Sequence, residues 1–109
     1  KRYLRAGDLS FGQQKLLELA MALMNKPKML LLDEPTAGIN PTLINGIIKR
    51  LIRINEEYGI TLLIIEHNMK VIMNLAEEIF CLTHGQLIAQ GTPNEIKNNQ
   101  KVIDAYLGK

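Results

Sequence analysis

Two acidic residues that follow a short apolar run are well suited to phosphate chemistry. Asp33 and Glu34 come directly after Met29–Leu32. An aspartate at the end of a hydrophobic strand can hold a magnesium ion, and an adjacent glutamate can accept a proton from a water that attacks a γ-phosphate. The alternative is a strand end that turns into a loop with two solvated acids. The pair alone fits both interpretations.

A second polar pair, Glu66 and His67, follows the β-branched and aliphatic run Thr61–Ile65. Ligands of an open parallel sheet bind beyond the carboxyl ends of its strands, so both polar pairs are expected in that region. A single histidine after a strand is nevertheless more often structural than catalytic. The order and spacing of further motifs must decide between these interpretations.

The elements that position these residues can be predicted from the apolar pattern. The unbroken run Met29–Leu32 predicts a strand that is covered on both faces of a parallel sheet. Before it, Ser10 is the predicted N-cap of a helix, with Gln13 in the capping-box position. The broad apolar face of this helix predicts burial on more than one side.

A second helix is predicted to begin with Asn40 as N-cap and Pro41 as its first residue, and to stop at Gly59. A third helix after the second strand is indicated by apolar residues at helical spacing: Val71, Ile72 and Leu75. Strands that alternate with helices predict an α/β fold with a parallel sheet.

The remainder of the chain is predicted to begin with a hairpin. Its strands are Ile79–Leu82 and Leu87–Gln90, joined by a turn at His84-Gly85. A second capping box, with proline at the first helical position, is predicted at Thr92–Glu95. A short helix over Val102–Leu107 is predicted to close the chain.

Composition excludes several classes of protein. The chain has 109 residues, of which 47% are hydrophobic and 22% charged, so a single folded domain is expected rather than a disordered chain. The net charge of +2 comes from scattered residues and indicates no nucleic-acid surface. The chain has a single cysteine, Cys81, and lacks an apolar run long enough to span a membrane, which together predict a cytoplasmic protein. Lys1 stands where an initiator methionine is expected, which predicts a fragment.

Four short motifs occur in a fixed order: Leu9–Gln13, Leu30–Pro35, Ala37–Asn40 and Ile65–His67. They resemble, respectively, the signature motif, Walker B, D-loop and switch histidine of the ATP-binding cassette (ABC) ATPases. Three further stretches resemble the ATPase subunits of branched-chain amino acid importers: Glu66–Met69, Gly85–Pro93 and Val102–Gly108. The resemblance covers nearly the whole chain.

The resemblance implies roles for three residues at the nucleotide site of their own subunit. Asp33 would hold Mg²⁺, directly or through a water. Glu34 would polarise the attacking water, and His67 would contact the γ-phosphate of ATP and sense its loss.

The signature motif is implied to act on the ATP held by a partner subunit, because members of the family sandwich two ATP molecules between head-to-tail domains. Ser10, Gly12 and Gln13 would contact that nucleotide, and the N-terminus of their helix favours an anion. The alternative is a plain capped core helix. Phe11 replaces a frequent glycine, and Asn40 replaces the usual D-loop aspartate, which puts coupling between the two sites in question.

No glycine-rich phosphate loop with a Gly-Lys-Ser/Thr ending occurs in the sequence. We therefore expect residues 1–109 to be a partial ABC ATPase domain, the C-terminal half of a P-loop-NTPase-like fold with parallel strands, flanking helices and a C-terminal hairpin. This half alone is expected to be inactive.

The function implied is that of the ATP-hydrolysing subunit of an importer for branched-chain amino acids or a similar small polar solute. It would pair with a second ATPase subunit, bind transmembrane permease subunits, and lie on the inner face of the cell membrane. The alternatives are an ABC-type ATPase of DNA repair or chromosome maintenance, which the lack of a basic stripe disfavours, and a non-catalytic nucleotide-interaction module.

Overall fold

The computed structural model describes residues 11–107, with the side chains of residues 12–106. Residue contacts divide this range into two compact units, one that ends at His67 and one that begins at Asn68, and each is described by itself. Ser10, the predicted N-cap of the first helix, lies outside the described residues.

The first unit alternates helices with parallel strands. Its elements are α1 (Phe11–Leu23), β1 (Met29–Asp33), α2 (Pro41–Tyr58) and β2 (Thr61–Ile65). The two strands pair in parallel, in a register that runs from Met29 opposite Thr61 to Asp33 opposite Ile65. A helix between two parallel strands confirms the predicted α/β class.

Helix α2 begins and ends where its sequence predicts. The Asn40 side chain accepts a hydrogen bond from the Thr42 N–H at 3.0 Å, and Pro41 needs no partner for a missing N–H. At the other end Gly59 adopts a left-handed φ of 65° and donates its N–H to the Asn55 carbonyl at 3.1 Å. The helix buries an apolar face: Ile47, Ile48, Leu51 and Ile54.

The prediction that β1 is covered on both faces is wrong for this chain. Leu30 is buried, but its neighbours Met29 and Leu31 are exposed, Leu31 at 71%. Leu63 and Ile65 are likewise exposed on β2. Successive side chains of a strand point to opposite faces of the sheet. Within residues 11–107, no element of the first unit covers the face that carries Met29 and Leu31.

The predicted burial of α1 on more than one side is also wrong. None of the helix residues with a described side chain is buried, and Met21 is exposed. One side of α1 lines a groove with β1 and α2, to which Leu16 and Leu19 contribute together with Leu32 and Leu51. The apolar residues on its other sides are not covered by any element in the described range. The apolar residues of α1 are therefore not confined to the face that lines the groove.

The second unit contains α3 (Met69–Leu75), β3 (Ile79–Thr83), β4 (Gln86–Gly91), α4 (Pro93–Lys97) and α5 (Gln100–Val102), followed by a π-helical turn. β3 and β4 form the predicted antiparallel hairpin, with an irregularity in register between Cys81 and Leu82. Both turn residues, His84 and Gly85, have positive φ angles, 49° and 75°, as a type I′ turn requires. The core of this unit is small: Ile79, Cys81, Ile96 and Val102.

Side-chain caps define the helices of the second unit. The predicted capping box is confirmed, because Thr92 donates its N–H to Glu95 Oε1 at 3.0 Å and accepts from the Glu95 N–H at 3.2 Å. The hydrogen bond from the Thr92 N–H, followed by one with the Thr92 side chain, lowers the pKa of the Glu95 carboxyl. The last helix begins at Gln100, before the predicted Val102, because Asn99 caps it by accepting from the Lys101 N–H.

Two glycines of the α2 region predict opposite effects of the same substitution. A Cβ at Gly46 or at Gly59 would meet nothing within 4 Å, so only backbone conformation distinguishes the two positions. Gly46→Ala should stabilise the protein by about 1 kcal/mol, because alanine is the better helix former. Gly59→Ala should destabilise it by about 1 kcal/mol, because φ is left-handed there.

Urea denaturation of the two variants beside the unmutated protein measures both effects. Midpoints that move in the same direction would contradict the assigned end of α2.

Candidate functional site

The carboxyl ends of β1 and β2 lie side by side, as the parallel register requires. The structure thereby brings together four residues that follow the strands: Glu34, Thr36, Glu66 and His67. We call this group the strand-end junction. It contains one acid of each polar pair that the sequence places after a strand, together with the histidine.

Glu34 holds an unusual backbone conformation at the start of the junction. Its φ of 48° lies in the left-handed region, which a non-glycine residue seldom adopts. Two hydrogen bonds stabilise this conformation: the Glu34 N–H donates to the Ile65 carbonyl at 2.6 Å, and the Glu34 carbonyl accepts from the Ala37 N–H at 3.0 Å. The first bond extends the strand ladder by one residue, so Glu34 is fixed to the end of β2.

The Glu34 and His67 side chains contact each other directly, through Oε1 and Nδ1. Glu34 is 42% exposed and His67 is 76% exposed, so water reaches both groups. An ionised carboxylate only accepts hydrogen bonds, so Nδ1 carries the proton in this contact and Nε2 is the ring nitrogen that can serve another group. The pair can orient a carboxylate toward water, which is the arrangement a general base needs.

Glu66 lies beneath this pair with a side chain that is only 1% exposed. Its Oε2 accepts from the Thr36 hydroxyl at 2.7 Å and from the Thr36 N–H at 3.3 Å, and its Oε1 accepts from the His67 N–H at 3.2 Å. The sequence interpretation placed Glu66 after a strand but gave it no role. A buried carboxylate with three donors could not be recognised without knowing that Thr36 lies opposite.

The residue near the junction that best fits a magnesium ion is Asp33. Glu34, Glu66 and His67 offer one ligand atom each within 4.8 Å of one another, but an imidazole is a poor ligand for Mg²⁺, and Glu66 already accepts three hydrogen bonds. Asp33 is outside this group; it is the exposed last residue of β1 and supplies a hard carboxylate. The chemistry of the donor set therefore agrees with Asp33 as the magnesium ligand, which stays a prediction.

Gly12, Gln13 and Asn40 are not members of the strand-end junction. Gly12 and Gln13 stand in the first turn of α1, and a Cβ at Gly12 would contact Leu43 at 3.4 Å and Ile39 at 4.0 Å. The start of α1 therefore adjoins the residues that flank Asn40. Asn40 caps α2, as predicted, and its part in contact between sites stays a prediction, as do the nucleotide contacts of Gly12 and Gln13.

Comparison with known proteins shows which families the chain is similar to. A family model described as "ABC transporter" matches residues 1–37, and one described as "Branched-chain amino acid ATP-binding cassette transporter" matches residues 86–109. The chain is therefore similar to ABC transporter proteins in both matched segments. The resemblance to the ABC ATPases, and to the branched-chain amino acid transport subunits among them, is thereby confirmed.

Individual relatives agree with this similarity to ABC transporter proteins. The high-affinity branched-chain amino acid transport ATP-binding protein BraF of Pseudomonas aeruginosa is 41% identical over 104 residues, which are 95% of this chain and 41% of that protein. LivG of Salmonella typhimurium, described in the same words, is 39% identical over 105 residues, 96% of this chain and 41% of that protein. The chain thus spans about two-fifths of the length of these relatives.

A solved structure confirms the fold class. The crystal structure of the ADP conformation of an ATP-binding cassette of an ABC transporter matches with a TM-score of 0.82 and 37% identity, over 94% of this chain and 42% of that one.

Within residues 11–107, every helix is too short or too polar to cross a lipid bilayer.

The left-handed backbone of Glu34 predicts a stability difference between two variants. Glu34→Gly and Glu34→Ala both remove the contact with His67, but only alanine keeps a Cβ at positive φ. The glycine variant should be more stable than the alanine variant by about 1 kcal/mol.

Glu56, an exposed residue within α2, is the matched control, because there alanine should be the more stable of the two by about 1 kcal/mol. Thermal unfolding of the four variants measures both differences. An alanine advantage at Glu34 as well would rule out the left-handed conformation.

Proposed function

We propose that the full-length protein that carries this sequence is the ATP-hydrolysing subunit of an importer for branched-chain amino acids or a similar small polar solute. The observation that carries the proposal is the contact between Glu34 and His67 at the ends of two parallel strands. The names of the relatives, branched-chain amino acid transport ATP-binding proteins, support the solute class.

In this proposal, Glu34 accepts a proton from the water that attacks the γ-phosphate of ATP. The His67 Nδ1–H donates to the Glu34 carboxylate and so fixes its direction. Phosphate oxygens only accept hydrogen bonds, so Nε2 must also carry a proton to donate to the γ-phosphate when ATP is bound. Magnesium held by Asp33 supplies, when bound, positive charge that offsets the charge on the phosphates. Exposure of both side chains agrees with a site that must admit water and nucleotide.

The signature residues are proposed to complete the site of a second ATPase subunit in a head-to-tail dimer. Ser10, Gly12 and Gln13 would contact the ATP bound by that partner, next to the D-loop residue Asn40. Support comes from the packing of Gly12 beside Ile39, the residue before Asn40, which places both motifs in one neighbourhood of the chain.

Transmembrane permease subunits are the other proposed partners, and through them the protein would lie on the cytoplasmic face of the cell membrane. Nucleic acid is not proposed as a partner, because the net charge of +2 is spread over the sequence. The names of the relatives refer to transport rather than to DNA repair, which favours the importer over the chromosome-maintenance alternative.

Replacing the proposed base tests the proposal. In the full-length protein, Glu34→Gln should lower the rate of ATP hydrolysis at least ~100-fold, because the amide cannot accept the proton of the attacking water. ATP affinity should stay within about twofold, since the nucleotide contacts remain. Phosphate release and a nucleotide titration measure the two quantities.

Glu56→Gln is the matched control for charge and size, because Glu56 is exposed on α2 and is expected to leave both quantities unchanged. A Glu34→Gln protein that hydrolyses ATP at the unmutated rate would remove Glu34 from the mechanism.

The trans assignment of Ser10 makes a second prediction. Ser10→Arg should abolish hydrolysis and leave the ATP affinity of the separated subunit nearly unchanged, because Ser10 is proposed to act on the partner's nucleotide. Titration of the monomer with ATP and phosphate release by the dimer distinguish the two effects. Loss of ATP affinity by the monomer would contradict the trans assignment, and Ser10 would then be a helix cap whose removal costs about 1 kcal/mol.

A further inference from the structure

One buried carboxylate connects the two loops that carry the proposed catalytic pair. Glu66 belongs to the loop after β2, and two of its three hydrogen-bond donors, the hydroxyl and N–H of Thr36, belong to the loop after β1. The third donor is the N–H of His67 itself. The two oxygens of this side chain thus bond to different loops: Oε2 to the loop of Glu34 and Oε1 to the loop of His67.

We propose that Glu66 is a positioning residue that, through Thr36, holds Glu34 and His67 in contact. The inference rests on the proposed function, because positioning matters only if that pair acts on ATP. Neither Glu66 nor Thr36 is assigned to nucleotide contact; both act through the backbone of the two loops.

Burial makes this connection specific. The Glu66 side chain is 1% exposed and Thr36 is 5% exposed. A carboxylate removed from water is strongly unfavourable unless donors replace its hydration, and three donors from fixed positions do so here. Two of the three donors come from Thr36 in the other loop, so burial of Glu66 favours the arrangement in which Thr36 lies against it.

The contact between Glu34 and His67 does not by itself fix the geometry of the pair as strongly. Contacts between exposed charged side chains are weak because water screens them and the side chains must be ordered. Glu34 and His67 are 42% and 76% exposed, and Glu34 is held in a seldom-populated backbone conformation. An exposed, locally strained pair needs support from its surroundings, and the Thr36–Glu66 connection provides it two residues from Glu34.

The test uses substitutions that remove single donors or acceptors in the full-length protein. Glu66→Gln replaces one acceptor oxygen with an NH₂ group that faces donors. Thr36→Val removes the hydroxyl and keeps the shape and the backbone N–H, and Thr36→Ser restores the hydroxyl. The three variants therefore separate hydrogen bonding from side-chain volume.

Steady-state ATP hydrolysis is the first measurement. We expect Glu66→Gln and Thr36→Val to lower kcat at least tenfold with KM for ATP within twofold, and Thr36→Ser to retain kcat within twofold. Unchanged kcat in Thr36→Val, with a cooperative unfolding transition, would overturn the proposal. Equal losses in Thr36→Val and Thr36→Ser would also overturn it, because the hydroxyl would then be irrelevant.

The ¹⁵N NMR spectrum of the His67 imidazole is the second measurement and does not depend on ATP hydrolysis. The Nδ1-protonated form should predominate in the unmutated protein and decrease in Glu66→Gln and Thr36→Val, because contact with Glu34 is lost. An unchanged spectrum in both variants would overturn the proposal. An unmutated protein that does not hydrolyse ATP would instead overturn the proposed function, and the NMR result would still decide on positioning.

Discussion

The in-register parallel ladder between β1 and β2 brings the ends of both strands to one edge of the first unit, and every contact of the strand-end junction starts there. Asp33 lies opposite Ile65, so the next residues on each strand are neighbours. The Glu34 N–H continues the ladder by donating to the Ile65 carbonyl. A slip of one residue would turn the side chains to the other face and separate the two polar pairs.

The junction has a buried part and an exposed part. The buried Glu66 carboxylate is saturated by donors from two loops, whereas the exposed Glu34–His67 pair is open to water. A reacting group must reach solvent and substrate, but its geometry must be held to a fraction of an ångström. In the proposed mechanism this division satisfies both demands, because the buried Glu66 carboxylate holds the geometry and the exposed Glu34 carboxylate reacts.

Local sequence signals predicted the features that depend on a few neighbouring residues. The Asn40 cap, the Gly59 stop and the Thr92 capping box were correct, since each is decided within one helical turn. Features set by distant contacts were missed. The exposed face of β1 depends on which elements cover it, the left-handed Glu34 on its bond to Ile65, and the buried Glu66 on a threonine 30 residues away.

Glu34 and His67 are proposed to act on ATP as one unit, and a double-mutant cycle on the single-turnover rate of ATP hydrolysis tests this most directly. The full-length protein is compared with Glu34→Gln, His67→Ala and the double variant in single-turnover ATP hydrolysis. We expect the double variant to be no slower than the slower single variant, because each change already disables the pair. Rate losses that multiply in the double variant would contradict the claim, since the two residues would then act independently.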